Sequence, residues 1–110
     1  MSKKQSVICN VQSSNLKSIN LDRCVYCWRS IDTFSRTVDH LYPKSKGGIR
    51  SNKNKVPCCI RCNQMKGSLD IVEFKNSLES TINYMHSAYK KNIDELKKIK
   101  FNVEKLITNN

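Results

Sequence analysis

Two cysteine pairs, Cys24-Val-Tyr-Cys27 and Cys59-Ile-Arg-Cys62, flank an Asp39-His40 dipeptide. Thiolates separated by two residues can grip one ion from a single tight turn, and two such turns complete a closed four-thiolate site of the structural zinc type. Redox-active or simply buried thiols are the other chemistry that such spacing allows. Cys58 offers a second register, Cys58-x-x-x-Cys62, but Cys59 reproduces the gap of the first pair and is preferred. Cys9 has no partner in the pattern and reads as a small apolar residue.

The dipeptide suggests different chemistry. Imidazole can accept a proton near neutral pH. Asp39 is the carboxylate next to it, and a hard oxygen ligand suits Mg²⁺ or Mn²⁺, which commonly takes one or two protein groups plus waters and substrate phosphate. Such an ion would stabilise charge on a scissile phosphate while the imidazole activates water.

No acidic residue occurs from His40 to Leu69, an interval that holds Lys44, Lys46, Arg50, Lys53, Lys55, Arg61 and Lys66. The whole chain carries 20 basic and nine acidic residues, a formal net charge of +11. General solubility would explain the total, but a one-signed patch laid over the motif suits a polyanion such as DNA. Lys44, Lys46, Arg50 and Lys66 are the candidate phosphate contacts, which would position a nucleic acid without reading its sequence. Tyr26, Trp28 and Tyr42 could stack on bases, although packing around the metal-binding turn fits them better.

The elements that must position these groups are short. Thr37 to His40 reads as a strand ending on the dipeptide. Pro43 blocks its regular continuation, and Lys46-Gly47-Gly48 reads as a loop. Val56-Pro57 reads as a return strand, Cys59 to Lys66 as a short helix, and Gly67 as its C-cap. Asp70-Ile-Val-Glu73 has the form of a capping box. Apolar residues then recur from Val72 to Leu106 mostly at spacings of three and four, with no Pro or Gly between them. That is one helix, or two with an unmarked break. A single helix would be roughly 50 Å long, so its distal half must fold back, pair with a partner chain or lie on DNA. The stripe through Ile93, Ile99 and Leu106 has no obvious cover in the sequence, which points weakly to a homodimer or a protein partner. His86 is expected on a helix face without a catalytic role.

The segment Asp39-His40-Leu-Tyr-Pro43, Ser45-Lys46-Gly47-Gly48, Asn54-Lys-Val-Pro57-Cys-Cys59-x-x-Cys62-Asn63-x-x-Lys66-Gly67 resembles the HNH endonucleases, the ββα-metal nuclease class, in their zinc-stapled subtype. The resemblance runs from Cys24 to about Phe74. It implies an α+β fold with a ββα-metal core stapled by Zn²⁺ on Cys24, Cys27, Cys59 and Cys62, followed by a long helical segment. It implies that His40 is the general base, and that Asp39 and Asn63 are ligands of the catalytic Mg²⁺ or Mn²⁺. Asn54 would brace the loop and orient the histidine, with Asn52 a nearby competitor. Asn63 stands where the family often has His, making this an H-N-N variant. Three departures are Lys55 for an apolar residue, Cys58 for a small one, and Trp28 where many relatives have Gly.

The expected organisation is an N-terminal arm over residues 1–20, a nuclease core over 21–75 and a helical extension over 76–110. The expected function is metal-dependent hydrolysis of DNA. A zinc module that binds nucleic acid without cutting is the alternative, since it accounts for the cysteines and the charge. A zinc deaminase is disfavoured, because His40 is followed by Leu-Tyr rather than the x-Glu of that signature. A helical interaction protein would leave the first half of the chain idle. The absence of a signal peptide or a membrane-length apolar run leads to the expectation of an intracellular protein in a reducing compartment.

Overall fold

The computed structural model describes residues 20–43, 47 and 54–107. The N-terminal arm up to residue 19, Lys44, Lys46, Arg50 and Asn52 lie outside the described residues.

The first cysteine pair lies in a turn closed by an antiparallel bridge between Arg23 and Ser30. Two strands follow, β1 (Arg36–His40) and β2 (Lys55–Cys59). They pair antiparallel, with Arg36 opposite Cys59, Val38 opposite Pro57 and His40 opposite Lys55. Pro57 lacks an N–H, and its carbonyl accepts the Val25 N–H at 3.0 Å, which docks the first cysteine turn on the outer edge of β2.

β2 passes directly into helix α1 (Ile60–Lys66), and Cys59 is the N-cap, its sulfur accepting from the Cys62 N–H. Gly67 ends the helix with φ of 56°, a left-handed conformation that a residue without a Cβ adopts at little cost. Its N–H bonds the Asn63 carbonyl at 2.9 Å. Helix α2 (Ile71–Tyr84) opens with the expected capping box: Asp70 accepts from the Glu73 N–H at 2.8 Å, and Glu73 accepts from the Asp70 N–H at 3.0 Å.

The helical periodicity does break. After Tyr84 comes a 3₁₀ turn (Ser87–Tyr89), then helix α3 (Lys90–Leu106). His86, expected on a helix face, instead caps this turn, its Nδ1 accepting the Ala88 N–H at 3.0 Å. The side-chain cap replaces the Gly or Pro that usually marks such a break.

α3 folds back along α2, one of the courses expected for the distal half, and Ile99 and Leu106 of its stripe are covered within the chain rather than left for a partner. Ile99, Val103 and Leu106 are buried in the same core as Tyr26, Leu41, Val56, Ile71, Phe74 and Leu78. The Tyr26 and Phe74 rings meet edge to face at 5.3 Å. Glu95 of α3 takes Arg29 from the first cysteine turn and Arg61 from the second. The Asn102 amide donates to the Tyr26 carbonyl at 2.7 Å. No helix among the described residues is long and apolar enough to cross a membrane.

Candidate active site and metal centre

The sulfurs of Cys24, Cys27, Cys59 and Cys62 all lie within 4.8 Å of one another, and all four residues are buried. Cys27 Sγ and Cys59 Sγ are 3.8 Å apart. A tetrahedral ion with sulfur at about 2.3 Å would separate its ligands by about 3.8 Å, so the cluster has the dimensions of such a site. The Cys27 and Cys62 N–H groups each reach the preceding sulfur, Cys24 and Cys59, at 3.4 Å. These donors favour the thiolate form. Cys24 is pulled below the ordinary thiol range, chiefly by the hydrogen bond from Cys62, whose own thiol is pushed up as the proton holder. An all-sulfur donor set suits zinc.

Cys58 faces away from this cluster, its sulfur 3.3 Å from Thr37 Oγ1. Burial pushes its thiol up to about 12, so it remains protonated and apolar in character. The register through Cys59 is therefore the one in the fold. Trp28, directly after the first pair, has φ of 65°. That is the left-handed conformation in which a glycine is at ease.

Asp39 is 6% exposed on β1. Strand residues alternate in face, so it shares a side with Thr37, while Val38 between them is exposed. The Asn63 amide nitrogen, from the middle of α1, donates to Thr37 Oγ1 at 2.9 Å. Asp39 and Asn63 thus belong to the same seam between sheet and helix. Their oxygen donors suit a hard cation. Thr37 fixes the nitrogen end of the Asn63 amide, and among the described residues no hydrogen bond is seen to its Oδ1.

Among the described residues two donors hold the Asp39 carboxylate. The Tyr26 hydroxyl, from within the first cysteine pair, donates to Oδ2. Lys66 Nζ lies 3.1 Å from Oδ2 and 3.3 Å from Oδ1. Burial, with the Asp39 charge, pushes the Tyr26 phenol well above its ordinary range, so it stays a donor. Lys66 was expected at a phosphate. Its side chain has no exposed surface, and it also donates to the His40 carbonyl at 2.9 Å. A partner carboxylate on the strand its helix packs against draws it inward. Sequence reasoning missed both attachments, since each joins residues 13 or more positions apart.

His40 is the last residue of β1, half-buried where the strand gives way to the loop. Asn54 closes that loop. Its backbone carbonyl accepts the Leu41 N–H at 2.9 Å, and its side chain both donates to and accepts from the Tyr42 peptide group, at 2.9 Å each. This buried amide ties the first residues after His40 to the start of β2, the geometry of a brace.

A family model described as HNH endonuclease matches residues 24–78, half of the chain. The search of curated proteins finds no match. Among solved structures the chain is similar to the Type II-C Cas9 enzyme from Actinomyces naeslundii, with 17% identity and a TM-score of 0.49. That alignment covers 94% of this chain and 13% of the length of the other. On the family match, which spans both cysteine pairs and every residue of the Asp39 seam, the chain belongs to the HNH endonuclease family.

Proposed function

We propose that the chain is a metal-dependent endonuclease that hydrolyses DNA phosphodiester bonds. The observation that carries this reading is that Asp39 lies on the same face of β1 as Thr37, to which Asn63 of α1 is bonded, with His40 the next residue of the strand, all within the family-matched segment. In this reading Asp39 Oδ and Asn63 Oδ1 hold Mg²⁺ or Mn²⁺. When bound, the ion supplies charge stabilisation at the phosphate. His40 takes the proton of the attacking water. Asn54 fixes the chain directly after His40, and so fixes where that base can point. Cys24, Cys27, Cys59 and Cys62 hold Zn²⁺ as a structural ion, away from the reaction. Lys44, Lys46 and Arg50, with the acid-free interval around them, meet the DNA backbone. A reducing intracellular setting keeps the four thiols available for metal.

One observation favours the alternative of a zinc module that binds DNA without cutting it: the Asp39 carboxylate is already paired with Lys66. Supercoiled plasmid with Mg²⁺ or Mn²⁺ separates the two readings. Asp39→Ala and Asn63→Ala should each lose cleavage on the order of 100-fold while keeping zinc, with Asp39→Ala also lowered in unfolding midpoint because it strands the buried Lys66 ammonium. Cleavage should be absent in EDTA at concentrations that spare the zinc. Full cleavage by Asp39→Ala would refute the ligand assignment. Loss of zinc from Asn63→Ala would place that residue in the staple instead.

A further inference from the structure

The buried polar and charged residues among those described are Asp39, Asn54 and Lys66. Asn54 is accounted for by its brace. The other two form an ion pair at the carboxylate to which the preceding section assigns the divalent cation. A fully buried ion pair is a costly way to stabilise a fold, because apolar residues of similar size would serve as well or better. Its location suggests what it is for.

We propose that Lys66 is a positioning residue that holds the cation place at Asp39 until a divalent ion displaces it. This inference rests on the assignment of Asp39 as a metal ligand. A carboxylate offers about four lone-pair sites. Tyr26 uses one on Oδ2 and, being neutral, can remain when a doubly charged ion arrives. The ammonium of Lys66 spans both oxygens, at 3.1 and 3.3 Å, and is repelled by such an ion. It has somewhere to go. Lys66 is the last residue of α1, and Gly67 and Ser68 immediately after it are exposed. Water therefore lies within one lysine side chain of the buried position.

Displacement has a second consequence. Lys66 also holds the His40 carbonyl at 2.9 Å, so its departure removes one contact at the end of β1, which the pairing with Lys55 and the Asn54 brace still hold. Ion entry and the backbone of the candidate base thus share one side chain. Without the ion, the carboxylate is neutralised and the strand end is pinned.

The test uses the full-length, zinc-loaded chain and Mn²⁺ alone, with thermal unfolding and calorimetric titration as readouts. Lys66→Met keeps the volume and removes the competitor. Its unfolding midpoint without Mn²⁺ should fall below that of the wild type, and Mn²⁺ should raise it by more. Its Mn²⁺ affinity should be tighter by about tenfold or more. Asp39→Asn should abolish the Mn²⁺ effect in both backgrounds. If Lys66→Met folds only with Mn²⁺ present, that also supports the proposal. If it does not fold at all, Lys66→Gln, which keeps a neutral donor, should show the same tighter binding. Equal or weaker Mn²⁺ binding in the folded variant, with an Asp39-dependent response in the wild type, overturns the displacement and leaves the ligand assignment standing. No Asp39-dependent response in either protein overturns both.

Discussion

A single residue of register decides the metal centre. Cys58 and Cys59 are adjacent and both buried, yet only Cys59 joins the cluster, because neighbouring residues of β2 face opposite ways. The repeated two-residue gap made this choice legible in the sequence. Cys59→Ser should therefore lose zinc by elemental analysis and unfold the core, since structural zinc contributes on the order of 10 kcal/mol in small domains. Cys58→Ser should keep its zinc. The opposite pattern would mean the other register. Trp28 allows a separate test of backbone conformation. Trp28→Gly and Trp28→Ala lose the same side-chain contacts, but only alanine retains a Cβ at φ of 65°. In denaturant titrations the Gly variant should be the more stable by about 0.5–1 kcal/mol, the left-handed penalty less the extra chain entropy of glycine. The roles of Tyr26 and Lys66 were not legible in the same way. A hydroxyl inside a cysteine turn and a lysine at a helix end have no local signature for a partner on a distant strand.

Among the elements, those with local chemistry were readable. Asp70 and Glu73 announce the start of α2, and Gly67 the end of α1, because caps are satisfied by residues near in sequence. The break after Tyr84 was hidden because His86 makes the cap with a side chain that carries no strong turn preference. That concealment left the cover of α3 open between the chain's own core and a partner. A helix that reverses at residues 85–89 brings Ile99, Val103 and Leu106 onto the core that holds both cysteine turns. Its polar links add little by themselves. Arg29 and Arg61 are about half exposed where they meet Glu95, so each pair contributes at most about 1 kcal/mol. The apolar contacts dominate. Ile99→Ala should cost about 2–5 kcal/mol in equilibrium unfolding, as expected for truncating a fully buried side chain. A cost below about 0.5 kcal/mol would mean that α3 is not part of the stable unit.

At the scale of the molecule, one core positions both the four-cysteine cluster and the Asp39 carboxylate. Tyr26 makes the connection: it sits between Cys24 and Cys27, packs its ring on Phe74 of α2, gives its carbonyl to Asn102 of α3 and donates its hydroxyl to Asp39. The zinc-type cluster thereby fixes the place of the carboxylate as well as the fold. The basic interval from His40 to Leu69 could be read from composition, while the way the fold buries Lys66 out of that interval could not. Charge counts do not reveal which cation turns inward. The central claim is that His40 at the end of β1 activates water for phosphodiester cleavage. The most direct measurement is cleavage of supercoiled plasmid in Mg²⁺ or Mn²⁺ by the wild type and by His40→Ala, with zinc content and unfolding midpoint measured in parallel. The account predicts a loss of about 100-fold or more in His40→Ala, with zinc and stability retained. Undiminished cleavage by that variant, or no cleavage by a folded, zinc-loaded wild type, would contradict it.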